Sequence, residues 1–194
     1  MKTLSRVYDS YDQAQSVVRD LESSGVSTSN ISLVANKYVS EEYENVTDAS
    51  SAASGAGIGA AVGGGAGLLA GLGMIAIPGI GPVVAAGWLA ATALGAVAGS
   101  ATGGLIGALV GAGEPEEHAH VYSEAVRRGG TLVTVNVEDG RESAVLAMLD
   151  RHDPIDPVTR GKEYGQDGWT TFDPSADPYK PSQAEIERIR RRPI

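Results

Sequence analysis

The sequence predicts an α+β domain cut in two by a long uncharged insertion, and three observations carry that expectation. The chain has 194 residues, with 15 Lys and Arg and 24 Asp and Glu, yet none of these and no His occurs between Asp48 and Glu114. That stretch of 65 residues holds 19 of the 26 glycines. On either side of it, strand-like alternation and helical apolar spacing follow one another as β-α-β and then α-β-α.

Residues 3 to 9 set Leu4, Arg6 and Tyr8 against Ser5 and Val7, the alternation of a short strand. Ser10 stands three residues before Gln13, a capping-box spacing, and Ala14, Val17, Val18 and Leu21 then fall on one helix face. Gly25 ends that helix, because glycine takes the left-handed conformation beyond a C-terminus without steric cost. Residues 30 to 36 read as a second strand. Residues 37 to 48 carry Glu41, Glu42, Glu44 and Asp48 without a period and read as a linker, so 1–48 is the first half of the domain with an acidic connection.

The second half spans 114–152. Pro115 suits a first helical turn, Glu116 and Glu117 complement the positive end of the helix dipole, and Arg127 and Arg128 the negative end. Gly129 and Gly130 stop the helix. Leu132, Val133, Val135 and Val137 make a strand apolar enough to be central. Asp139 and Glu142 have capping-box spacing, and Ala144, Val145, Leu146, Met148 and Leu149 supply the face of a last helix. Neither half has strands enough to be stable alone, so the two close into one small split ferredoxin-like domain. From Asp153 to Ile194 a polar tail is interrupted by Pro154, Pro157, Pro174, Pro178, Pro181 and Pro193. It reads as extended, docking through Trp169 and Phe172, with one short helix over Ser182 to Arg192.

The insertion, 49–113, carries two glycine ladders of one period. Gly55, Gly59, Gly63, Gly67 and Gly71 are spaced by four, as are Gly95, Gly99, Gly103, Gly107 and Gly111, with Gly87 in phase. On a helix, residues four apart share a face, so each ladder presents a groove into which another backbone packs. Pro78, Gly79, Gly81 and Pro82 form a turn between two arms, 53–77 and 83–113. The insertion therefore reads as a hydrophobic helical hairpin, each arm long enough to cross a ~30 Å hydrocarbon layer at about 1.5 Å per residue. Glycine costs a water-exposed helix about 1 kcal/mol per residue. The environment must then be either a bilayer, where unsatisfied backbone is costlier still, or the interior of an assembly of identical hairpins.

Composition excludes other classes. Without cysteine there is no disulfide framework, thiolate metal site or cysteine nucleophile. A net charge of −9 opposes a general phosphate-binding surface, so nucleic acid is not an expected partner. The N-terminus lacks the apolar core of a secretory signal, which places the start of the chain in the cytoplasm. No Ser/His/Asp arrangement or phosphate-cradling loop is present, and no enzymatic activity or cofactor is expected. His118 and His120, two apart on one helix, point away from each other and do not form a metal pair.

The N-terminal β-α-β, the run from Gly55 through Ile77-Pro78-Gly79-Ile80-Gly81-Pro82, the segment Gly103-Gly104-Leu105-Ile106-Gly107-Ala108-Leu109, Glu114-Pro115-Glu116-Glu117-His118-Ala119, Tyr122, and Val126-Arg127-Arg128-Gly129-Gly130 together resemble bacterial general stress proteins of the heat-induced, YflT-like type that carry a glycine-zipper insertion. The resemblance covers roughly residues 3 to 150. It implies a stress-linked bacterial protein with no catalytic residues to carry over. The resulting expectation is a non-enzymatic protein that homo-oligomerises through the ladders and the turn, in or at the cytoplasmic membrane with both termini cytoplasmic. The alternatives are a soluble ring or shell in the cytoplasm and a small-ligand sensor.

Overall fold

The computed structural model describes residues 2–36, 73–77, 80–89, 104–177 and 179. Ahead of the insertion the chain follows the expected course through β1 (Lys2–Tyr8), α1 (Tyr11–Ser23) and β2 (Ile31–Asn36). The capping box is formed: Ser10 Oγ accepts from the Gln13 N–H, and Gln13 Oε1 accepts from the Ser10 N–H at 3.1 Å. Gly25 lies beyond α1 at φ +85°.

The insertion departs from expectation. Gly73–Ile77 and Gly81–Ala86 are two strands, β3 and β4, not parts of helical arms, and Leu105–Gly111 is a separate seven-residue helix, α2. The segment is rich in β-branched residues (Ile75, Ile77, Val83, Val84), which favour a pleated surface over a helix. β3 and β4 are thus consecutive strands of a β-hairpin. β4 pairs antiparallel with β2, from Leu33 opposite Ala86 to Asn36 opposite Val83, and β3 pairs antiparallel with β4, from Gly73 opposite Ala85 to Ile77 opposite Gly81. All six residues of β2 are buried, a demand that an edge strand could not meet; β4 supplies the missing neighbour.

The chain continues through α3 (Glu116–Arg127), β5 (Thr131–Val137) and α4 (Glu142–Asp150). β5 is central as expected, and the five strands run β1-β5-β2-β4-β3 with every pair antiparallel. The start of α4 corrects a detail. Its N-cap is Arg141, which makes no side-chain cap, and not Asp139; Gly140, at φ +91°, lies between them.

The pleat sends alternate residues to two cores. One face gathers Tyr8, Ile31, Leu33, Val133 and Val135 under Val17, Val18 and Leu21 of α1 and Val145 and Leu149 of α4. The other gathers Val7, Val34, Leu132, Val83 and Ala85 under Leu105 and Leu109 of α2 and Ala119, Tyr122 and Val126 of α3. Burial raises the pKa of both core tyrosines, with Tyr122 pushed up to about 12. The Tyr8 hydroxyl donates to the Leu149 carbonyl at 2.9 Å.

The tail is not simply extended. Pro157–Gln166 is a helix, α5, with Asp156 as N-cap accepting from the Thr159 N–H at 2.7 Å and Pro157 in the first turn. Its approach runs along β1, where the Ile155 N–H donates to the Val7 carbonyl at 2.7 Å. α5 packs on α3, Tyr164 and Trp169 meet edge to face at 5.6 Å, and Phe172 enters the second core. The aromatic docking read from the sequence thus falls on the chain's own domain. Phe172 is 4% exposed, so Phe172→Ala should cost about 3 kcal/mol. Limited proteolysis should then cut within 153–177 faster than within the sheet; equal cutting of parent and variant would oppose this role. The linker 37–48 and the Ser182 to Arg192 helix lie outside the described residues.

Candidate functional site

The ladder glycines are the residues the sequence nominates. Gly55, Gly59, Gly63, Gly67, Gly71, Gly95, Gly99 and Gly103, with Pro78 and Gly79, lie outside the described residues. The others separate into different roles. Gly81 and Pro82 open β4, with Gly81 opposite Ile77 and Pro82 opposite Ala76. Gly107 is half-buried within α2, while Gly111 ends α2 with nothing within 4 Å of where a Cβ would sit.

Gly87 is not a helical packing residue. It sits in a bend at φ +88°, where a Cβ would lie 2.4 Å from the Ile31 carbonyl oxygen and 2.4 Å from Ser32 Oγ. The close approach has a purpose: Ser32 Oγ accepts from the Leu89 N–H at 3.0 Å and ties the exit of β4 back to β2. Gly87 directly follows β4 in a bend with positive φ, so its period-four phase with the second ladder does not reflect a helical position.

The second constellation, which the sequence reading took for a helix-dipole cap, is the end of α3. Glu124 is buried at 1% exposure, and both following arginines turn back onto it. Arg127 Nη1 donates to Glu124 Oε1 at 3.1 Å and Arg128 Nε to the same oxygen at 2.7 Å. The tail completes the cluster. The Tyr164 ring lies 4.3 Å from the Arg128 guanidinium, and Arg127 Nη2 donates to the Asp177 carbonyl at 3.3 Å. Burial is the largest single influence on Arg128 and opposes its charge, but the hydrogen bond and charge of Glu124 together with the neighbouring Tyr164 and Tyr179 outweigh it and raise the pKa. Arg160 of α5 makes a bidentate pair with Asp9 at 2.9 and 3.1 Å; here too burial is outweighed, and the pKa rises. Asn36, the last residue of β2, donates from Nδ2 to the Arg127 carbonyl at 3.0 Å. The cluster thus joins the point where the chain enters the insertion to the docked tail. With Glu124 already claiming the arginines, it is a fastening and not an anion site.

No family model, no curated protein and no solved structure matches the chain. The site has to be read from its own chemistry.

The histidines of α3 have separate partners. His120 Nδ1 lies 2.9 Å from Thr171 Oγ1, and the His118 ring lies 6.4 Å from that of Tyr122. Among the described residues no three His, Cys, Asp or Glu side chains converge on a metal position. A shallow recess of about 110 Å3 lies between the ends of α1 and β5 and the start of α4, lined by Asn30, Asn136, Glu138 and Arg141 among others. Among the described residues no helix is long and apolar enough to cross a membrane. What the sequence reading missed here had signals: Asp156-Pro157 is an N-cap followed by proline at the first helical position, and the apolar run of β2 asked for neighbours on both sides.

Proposed function

We propose that this chain is a non-enzymatic, stress-associated bacterial protein that homo-oligomerises through its glycine-rich insertion. The observation that carries the reading is the confinement of all charge to residues outside 49–113, in a chain whose remaining surface is strongly acidic. An uncharged segment of that length needs an apolar cover, and the ladders offer close backbone approach to whatever provides it. We read the domain as a split α+β fold in which each β-α-β crossover, β1 to β2 and β4 to β5, skips one strand; it departs from the ferredoxin-like arrangement in carrying α1 and α3 on opposite faces of the sheet.

Chain length favours cover by other copies over a crossing of the bilayer. The insertion returns to the sheet midway, so its two stretches, 37–72 and 90–103, each begin and end on the same domain. A helical excursion through ~30 Å of hydrocarbon and back needs about 40 residues. The first stretch has 36 residues, close to the lower limit for a return crossing, and the second has 14, too few for a single crossing. The same reading at the cytoplasmic membrane would place both stretches in one leaflet from the cytoplasmic side.

The test is Gly63→Leu combined with Gly103→Leu, which should lower the assembly mass in native mass spectrometry while leaving the circular dichroism of the domain in place. An unchanged assembly would sink the role of the ladders.

A further inference from the structure

The recess between α1, β5 and α4 plays no part in the self-assembly reading, since every residue lining it lies outside 49–113. Its floor is apolar: Val26 follows α1, Val137 ends β5 and Val145 stands in α4, all three buried. Its rim is polar. Asn30 and Asn136 bring two amides, and Glu138 and Arg141 bring opposite charges from one turn. In that turn the Arg141 N–H donates to the Glu138 carbonyl at 3.2 Å, and Gly140 takes φ +91° at the third position. The backbone thus fixes how far apart the two charged side chains begin.

Both charges line the recess, yet Glu138 and Arg141 make no ion pair with each other or with any other described side chain. Arg141 is held in place all the same, because Nη2 donates to the Ser24 carbonyl at 3.1 Å, which leaves most of its five N–H donors for another acceptor. Asn136 accepts from Thr3 Oγ1 through Oδ1 at 2.8 Å and keeps its NH2 group to donate. We infer that the recess binds a small zwitterion, a free α-amino acid with a short apolar side chain. The carboxylate pairs with Arg141, the ammonium with Glu138, and the side chain lies on the three valines. A bare anion would leave Glu138 unpaired and a bare amine would leave Arg141 unpaired, so each half of the ligand binds less well than the whole. The recess of about 110 Å3 equals the liquid volume of three or four waters at about 30 Å3 each, room for a molecule the size of alanine. Because the lining comes from three elements, an occupied recess ties them together and makes the stability of that corner depend on ligand concentration.

Hydrogen exchange of the full chain, read by mass spectrometry, tests this with L-alanine as the probe and with acetate and ethylammonium as its separate halves at equal ionic strength. L-Alanine should slow exchange at residues 24–30 and 137–146, saturating in the millimolar range as befits so few contacts, and leave the β1–β5 ladder unchanged. Each half should need about tenfold more to reach the same protection. Glu138 is exposed, so Glu138→Gln should fold as the parent does by circular dichroism and still weaken the L-alanine effect about tenfold. Arg141→Gln should weaken it as much. Equal protection by acetate and L-alanine, indifferent to Glu138→Gln, would reduce the recess to an anion contact and overturn the inference. No protection by L-alanine up to about 100 mM would overturn it as well. Neither outcome bears on the self-assembly reading, which is tested by mass.

Discussion

Replacing Gly87 by alanine should destabilise the protein by at least about 3 kcal/mol. Two costs coincide. A non-glycine residue at φ +88° is strained by about 1–3 kcal/mol. The added Cβ would also fall 2.4 Å from the Ile31 carbonyl and 2.8 Å from Ser32 Cα, both backbone atoms of β2 or its entry, which cannot rotate away as a side chain could. The turn must lift, and the Leu89 to Ser32 hydrogen bond is lost with it, at about 1 kcal/mol. Hydrogen exchange should show where the damage lies: β2 and β4 amides lose protection while the β1–β5 ladder keeps it. Gly111→Ala provides the contrast. It adds a methyl group to open space at the end of a helix, and urea denaturation should find it neutral within about 0.5 kcal/mol. Equal effects at the two positions would mean that both glycines do the same job.

Replacing Glu124 by alanine should cost about 2–4 kcal/mol and release the tail. Breaking a fully buried ion pair by removing one partner costs about 3–5 kcal/mol, because the other charge is left without compensation. Here the carboxylate is buried, but the Arg127 and Arg128 side chains keep 21% and 29% of their exposure, so water recovers part of the loss. Glu124→Gln should cost less than alanine, since an amide oxygen still accepts from Arg128. Protease cleavage within 167–179 should rise in both variants before the melting transition. Cleavage at the parent rate would mean that Phe172 and the Asp9–Arg160 pair hold the tail without the cluster.

How much of this was legible in the sequence depends on which force decided each element. The halves around the insertion followed local rules. Ser10 and Gln13 cap α1, Gly129 and Gly130 stop α3, and the apolar alternation from Leu132 to Val137 put β5 at the centre. The hairpin of β3 and β4 was hidden by its surroundings. Read as part of a glycine ladder, Gly87 argued for a helix; read with Val83 and Val84 before it, the same residue ends a strand. The choice was made by tertiary demand, because all six residues of β2 are buried and it needs β4 beside it. Gly107 and Gly111 remained helical, but in a separate helix whose Leu105 and Leu109 are spent on the core. α5 was obscured by prolines that looked like breaks, although Pro157 occupies the one helical turn that welcomes it.

The Glu124 cluster was legible only in part. Arg127 and Arg128 near a helix end suggest a dipole cap, and that is where they sit. Nothing in the spacing alone says that a glutamate three and four residues earlier is buried or that its arginines are met by Tyr164 and Tyr179, some 40 to 55 residues further on.

The most direct test is the mass of the full chain purified without detergent, followed over a dilution series by native mass spectrometry and particle imaging. The expected result is a homo-oligomer of uniform stoichiometry, recovered without membrane extraction. A monomer at every concentration, or a protein held in a carbonate-washed membrane pellet, would contradict it.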